Sequence, residues 1–186
     1  LFSGQNLPYP SFVHSRGPDR GFSPRGDGSD YPYPWSGQTV LGAWQLCSLL
    51  PGAPELAQGV LQNFLHIENG EGVIDWKPGL GGQRGRHLAP PMLASLAWKL
   101  GQPDTSPEWF QSIYPPLLRF FKTWLSAAHD RDEDGFPEWD HPLQTGYENN
   151  PLFDRWNIDS QGVDITTLES PALGAMLYRE CRSLIR

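Results

Sequence analysis

The carboxylates of this chain are gathered where a packed core has no use for them. The stretch "DRDEDGFPEWDHPLQTGYENNP", from Asp130 to Pro151, holds seven of them, together with Trp139, Tyr147, three prolines and two glycines. Its front, Asp130-x-Asp132-x-Asp134-Gly135, alternates acids as the first half of a calcium-binding loop does. Oxygens in that spacing converge on a hard cation, and the glycine permits the sharp turn. In this register the Phe136 carbonyl and Glu138 follow as further ligands, whereas the closing position falls on His141, which offers no bidentate carboxylate. The expected calcium ligands are therefore Asp130, Asp132, Asp134, Phe136 through its carbonyl, and Glu138. An acidic turn between two helices is the alternative.

Glu148 lies further along, between Tyr147 and Asn149. A carboxyl held against an aromatic ring in a crevice keeps its proton and can deliver it as a general acid. Asn149 offers hydrogen bonds to a sugar hydroxyl. A solvated loop glutamate is the plainer reading. Trp35, Trp76, Trp139 and Trp156 fall in or beside loops, where rings can stack on a ligand. Trp44, Trp98, Trp109 and Trp124 fall on helical patterns and are expected in the core. Thr166 and Glu169 have capping-box spacing, and Asp164 also reads as a cap.

Charge and composition exclude several classes. A net charge of -7 with scattered arginines leaves no basic stripe for phosphates, so no nucleic-acid partner is expected. "RGD" at Arg25 to Asp27 reads as a turn. No apolar run has membrane-spanning length, so no membrane partner is expected. The five histidines lack zinc-ligand spacing, and no organic cofactor is expected. Cys47 and Cys181 sit in apolar patterns and read as buried thiols. The chain opens on Leu1 and stops inside the apolar pattern of "ECRSLIR", which reads as a piece of something longer.

The elements that must position these residues are helical. Residues 1–34 are rich in Gly, Pro, Ser and Tyr without periodicity and read as an irregular lead-in. "WSGQTVLGAWQLCSLL" places Val40, Leu41, Trp44, Cys47 and Leu49 on one broad face. "PELAQGVLQNFLHIENG" is amphipathic, with Pro54 in its first turn and Asn69-Gly70 as a left-handed stop. A glycine-rich loop follows. "LAPPMLASLAWKLG" is a helix ending at Gly101, and Ser106-Pro107 opens another as N-cap and first residue. Pro115-Pro116 is expected to break or kink that helix. A last helix is expected from about Asp164 to Arg186. No strand is expected, and the long loops should gather on one face, where function sits.

In order along residues 31 to 186, several of these segments resemble one family. "DRDEDGFPEW" followed by "QTGYENNPLFDRW" is similar to the acidic "D-x-D-x-DG-x-PEW" loop and the "DNSP" element of glycoside hydrolase family 63 and mannosylglycerate-hydrolase-like proteins. "YPYPWSGQTVLGAW" resembles their first active-site loop and helix. "VDITTLESPALGAMLYREC" resembles their "VDLNALL" helix. The resemblance implies an (α/α)6 barrel that hydrolyses an α-linked glucoside, mannoside or glycosyl-glycerate with inversion. It puts Glu148 on the acid position, where the family usually has Asp, and puts Ser36 and Gln38 in a loop that usually carries a sugar-holding Asp. Trp35, Gln38, Trp76, Gln83, Tyr147, Asn149 and Trp156 are the expected substrate contacts. Only about half of such a barrel is legible here, so residues 35–186 read as its N-terminal half, without the catalytic base and inactive alone. The remainder of the barrel, in the same polypeptide or another chain, is then the expected partner, with a carbohydrate as substrate. A non-catalytic carbohydrate-binding or scaffold domain of the same fold is the alternative.

Overall fold

The computed structural model describes residues 7–10, 37–50, 52–79, 87–101, 105–146 and 164–186. Of the lead-in, only 7–10 fall within them. The described chain is all-helical: α1 (Val40–Ser48), α2 (Pro54–His66), α3 (Leu93–Leu100), α4 (Pro107–Trp124) and α5 (Pro171–Ile185). Short 3-10 turns occupy Pro142–Gln144 and Ile165–Thr167. Isolated bridges join Asp75 to Leu88 and Glu138 to Glu169, and no strand forms among the described residues.

The caps follow the sequence. Thr39 Oγ1 accepts from the Gly42 amide at the start of α1, and Ser106 Oγ accepts from Trp109 ahead of Pro107 in α4. Contacts place α1, α3 and α5 side by side, with α2 and α4 packed against that row. Between them lies one core that includes Val60, Phe64, Leu93, Leu96, Leu117, Phe120, Trp124 and Leu173. The three helices of the row start at one face of the molecule, and α2 and α4 end there. The start of α1 is held at that face by Gln38 N donating to Pro78 O, with Gly37 packed so close to Pro78 that any Cβ would collide with its carbonyl.

Several expectations need correction. Pro115 and Pro116 do not break α4, which runs through them for 18 residues. An interior proline costs about 3 kcal/mol, but Ile113, Leu117 and Phe120 bury their side chains on the opposite, core-facing side at roughly 1.5–3 kcal/mol each. Pro115 itself stays exposed. The last helix begins at Pro171 rather than near Asp164. Asp164 caps the separate 3-10 turn by accepting from Thr166 N, and the Thr166–Glu169 capping box does not form because both lie outside α5. Trp139 is buried edge-to-face against Trp124, whereas Trp98, expected in the core, is 46% exposed. Cys47 is buried, and burial pushes its thiol up to about 11; Cys181 is only half-buried.

The tightest polar contact in the core joins distant parts of the sequence. Helix α3 follows Met92, whose side chain offers no capping oxygen. Glu180 of α5 supplies two: its carboxylate accepts from Ala94 N at 2.6 Å and Ser95 N at 2.7 Å. Those amides are among the donors that the first turn of a helix leaves unpaired. Burial pushes the Glu180 carboxyl above its ordinary value, against the pull of the two amides and of Arg179. Glu180→Ala leaves two buried donors unmatched, at about 1–3 kcal/mol each. Urea unfolding of the intact protein should therefore show a loss of about 2–5 kcal/mol, with Glu180→Gln, which keeps one acceptor, losing less. Equal midpoints for all three proteins would remove Glu180 from this role.

Candidate functional site

The acidic loop leaves α4 through a turn at Ser126–Asp130 and folds back on itself. Glu138 N donates to His129 O, and Glu138 pairs with Glu169 across the chain. Asp130 holds the turn from inside, its two oxygens accepting from Asp134 N and Gly135 N at 3.1 Å each, while Asp134 accepts from Phe136 N. Gly135 takes φ +94° at the bend. Two groups of carboxylate oxygens result, each within 4.8 Å: Asp130, Asp132 and Glu138, and Asp132, Asp134 and Glu169. The charge is not balanced locally. Asp134 first, with burial, Asp132 and Glu138, raises the Glu169 carboxyl above its ordinary value. Arg131 is the nearest counter-charge, reaching Glu138 at 3.2 Å and Asp140 at 2.6 Å. Phe136 is 60% exposed.

Behind the loop stands a buried polar network. Gln144 is 1% exposed and uses its whole amide. Its Oε1 accepts from Asp140 N and His141 N, and its Nε2 donates to Leu88 O and Asp140 Oδ2. Asp140 Oδ1 lies 3.1 Å from His129 Nδ1. The His141 ring is 4.7 Å from that of His87, and burial, helped by His87, lowers the His141 pKa. The glycine-rich loop thus meets the acidic one at residues 87–88, close to where Trp76 N donates to His87 O and Trp124 Nε1 donates to Ala89 O. The described ends of the two long loops share one face.

The expected site residues divide accordingly. Of the expected calcium ligands, Asp130, Asp132 and Glu138 form one group and Asp132 and Asp134 meet Glu169 in the other, while Phe136 touches the turn through its N–H on Asp134. Trp76 is half-buried on the same face, with Lys77 Nζ 5.5 Å from its ring centre. Gln38 is fully buried, and its Nε2 donates to Val60 O, which ties the first loop to α2. Glu148, Tyr147, Asn149, Trp35, Gln83 and Trp156 lie outside the described residues. Just ahead of Tyr147 in the sequence, Gln144 and Thr145 are buried, and Gly146 turns with φ +74°. Sequence reasoning missed Glu169 as a member of the acidic group. Its distance of about thirty residues from the loop leaves no spacing signal, and only the Glu138–Glu169 bridge brings it in.

A family model described as "Mannosylglycerate hydrolase MGH1-like glycoside hydrolase domain" matches residues 31–185. No curated protein and no solved structure matches the chain significantly.

The network also sets an acid limit. Burial pushes the Asp140 carboxyl up, but the His129 bond and charge, with bonds from Gln144 and Arg131, outweigh it and hold the group below its ordinary value. A depressed carboxyl contributes stability above its unfolded pKa and loses it as pH falls through the folded one. Asp140→Asn should therefore melt lower than the parent near neutrality by the equivalent of about 1–3 kcal/mol. The difference should close as pH drops below about 4. A gap in melting temperature that stays constant across that range would show that the Asp140 charge contributes nothing.

Proposed function

The chain belongs to the family of mannosylglycerate hydrolase MGH1-like glycoside hydrolase domains, and from this premise we propose that it forms the part of an inverting glycosidase that carries the general acid, Glu148. The observation that carries the reading is the family match across the acidic loop and the segment behind it. The buried Gln144 and the left-handed Gly146, directly ahead of "YEN", support it by anchoring the chain where that segment begins. The substrate class is an α-linked glucoside, mannoside or glycosyl-glycerate. Glu148 protonates the leaving glycosidic oxygen, and a carboxylate outside these residues activates water from the other side of the sugar. Inversion requires the two carboxyls about 6.5–9.5 Å apart, with room for that water. Tyr147, by excluding solvent, keeps the Glu148 proton in place. Asn149, Trp35, Trp76, Gln83 and Trp156 complete the sugar contacts. Gln38, buried against α2, acts through the position of the first loop.

Calcium belongs to the same proposal, as a brace rather than a reactant. The donor set fits a hard cation: carboxylates from Asp130, Asp132, Asp134 and Glu138 with the Phe136 carbonyl, and Glu169 in place of the missing closing residue. In the intact protein freed of metal with a chelator, calorimetric titration with Ca²⁺ should show binding. The melting temperature should rise, by the equivalent of about 2.7 kcal/mol at a hundredfold excess over Kd. Asp132→Asn with Glu169→Gln should abolish both. Absence of heat and of any shift at millimolar Ca²⁺ removes the ion from the reading.

The acid assignment has its own test in the intact enzyme. Glu148→Gln keeps the shape but has no proton to give, and turnover of a natural α-glycoside should fall about 10²–10⁴-fold. The loss should shrink for an activated aryl glycoside, whose leaving oxygen needs little protonation. Glu148→Asp, the residue usual in the resembling family, should retain part of the activity. Near-normal turnover by Glu148→Gln refutes the assignment, and sugar binding without turnover in the parent moves the binding-domain reading ahead.

A further inference from the structure

Away from the acidic loop, the row formed by α1, α3 and α5 leaves open a surface of opposite character. Although the protein carries a net charge of -7, Lys99 of α3 and Arg179 and Arg182 of α5, with Arg186 just beyond, collect here around Trp44 and Trp98. Lys99 Nζ stands 3.7 Å from the centre of the Trp44 ring, and Arg179 Cζ stands 4.6 Å from the same ring. Arg186 Cζ lies 5.6 Å from the Trp98 ring. These six residues line a cavity of about 560 Å³ whose lining contains no carboxylate. Among the described residues, none of the four cations forms an ion pair. Lys99 donates to Ser48 Oγ, a neutral partner. The adjacent acid, Glu180, already has both oxygens on the amides of α3. Helix carboxyl ends favour cations, but that effect does not gather two of them on one indole. A second, apolar groove of about 520 Å³ continues from the first, sharing Trp98 and Arg186. Beside them Tyr178 is 65% and Ile185 75% exposed. Exposed tryptophan, tyrosine and arginine, grouped in this way, are the composition of interface anchors.

We propose that this face docks a helix bearing carboxylates on either side of an apolar ridge, and that the helix comes from the part of the same enzyme that lies outside these 186 residues. The ridge fills the groove beside Trp98, as ridges fill the grooves between packed helices. Asp or Glu side chains on its flank meet Lys99 and Arg179, which share the Trp44 ring, and Arg182, which lies over Tyr178; none of the three forms an ion pair among the described residues. The source of the helix rests on the glycosidase reading, which already requires a carboxylate from outside the chain. Its chemistry rests on this face alone.

Zero-length coupling with a water-soluble carbodiimide tests the contact, because it joins an amine only to a carboxylate touching it. In the intact protein at high dilution, peptide mapping should find Lys99 linked to an Asp or Glu outside residues 1–186. Lys99 should also acetylate about tenfold more slowly than exposed Lys122, a factor that corresponds to roughly 1.4 kcal/mol of protection. Lys99 left unlinked and acetylated as fast as Lys122 overturns the proposal. So does a link to an acid within residues 1–186, or one to a second polypeptide. Protection by millimolar inorganic phosphate without any link also overturns it, and makes the cavity a small-anion site. Catalytic assays separate the two readings: a link in an inactive protein sinks the glycosidase and spares the docked helix, and turnover with a free Lys99 does the reverse.

Discussion

Helix α3 begins with no side chain of its own to cap it, and the carboxylate that does so comes from α5, 85 residues later for Ser95 and 86 for Ala94. Much of the described structure hangs on that contact. The Glu180 bonds fix where α3 starts, so they also fix the segment just before it. That segment, residues 87–92, presents Leu88 O to Gln144 and Ala89 O to the Trp124 indole. Gln144 in turn holds the backbone of Asp140 and His141, and with it the end of the acidic loop. A buried acid thus links the last helix to the face where the chemistry is expected. It is buried at a cost that two amide donors only partly offset, since the carboxyl stays raised.

The elements whose signals are local were legible. Ser106-Pro107 marks the start of α4 because capping involves only the next three residues, and Gly101 ends α3 where the apolar period stops. What the sequence hid depends on distant packing. Pro115 and Pro116 carry a strong local prohibition, but the face that bears Ile113, Leu117 and Phe120 is buried in the core, and tertiary burial outweighs the lost bond. The start of α5 was misplaced for the same reason in reverse. Thr166 and Glu169 have the spacing of a capping box, yet Glu169 pairs with Glu138 in an extended bridge, and the helix waits for Pro171. Likewise the tryptophans could not be sorted by helix against loop. Trp139 is in a loop that folds into the core, and Trp98 is on a helix whose outer side is open.

The candidate site divides along the same line. The calcium-like front of the acidic loop was readable because Asp130, Asp132, Asp134 and Gly135 act within one turn, and the turn forms with Asp130 bonded across it. The contribution of Glu169 was unreadable because it arrives through a bridge between segments, and the network of Gln144, Asp140, His129 and Arg131 has no motif at all. Its members are ordinary residues whose role exists only once Leu88 is brought beside them. The proposed active-site assignment rests on the resemblance carried by "QTGYENNP" and on a family match over residues 31–185 that includes it.

The distribution of charge follows from the direction of the helices. α1, α3 and α5 start at the loop face and finish at the other end, so their positive dipole ends point toward the acidic loop and their negative ends toward Lys99 and Arg182. Each favourable placement contributes about 0.3–1 kcal/mol at an exposed helix end. That is enough to tolerate a carboxylate such as Glu169 two residues before α5, and too little to neutralise five acids in one turn or four cations around two tryptophans. A fold of parallel helices can therefore separate charge between its two ends, but it leaves a residue of unbalanced charge at each. At the loop end the balancing species we propose is a hard cation, and at the other end the carboxylates of a docked helix. The two unbalanced charges are of opposite sign and sit at opposite ends of the same helices, so neither relieves the other.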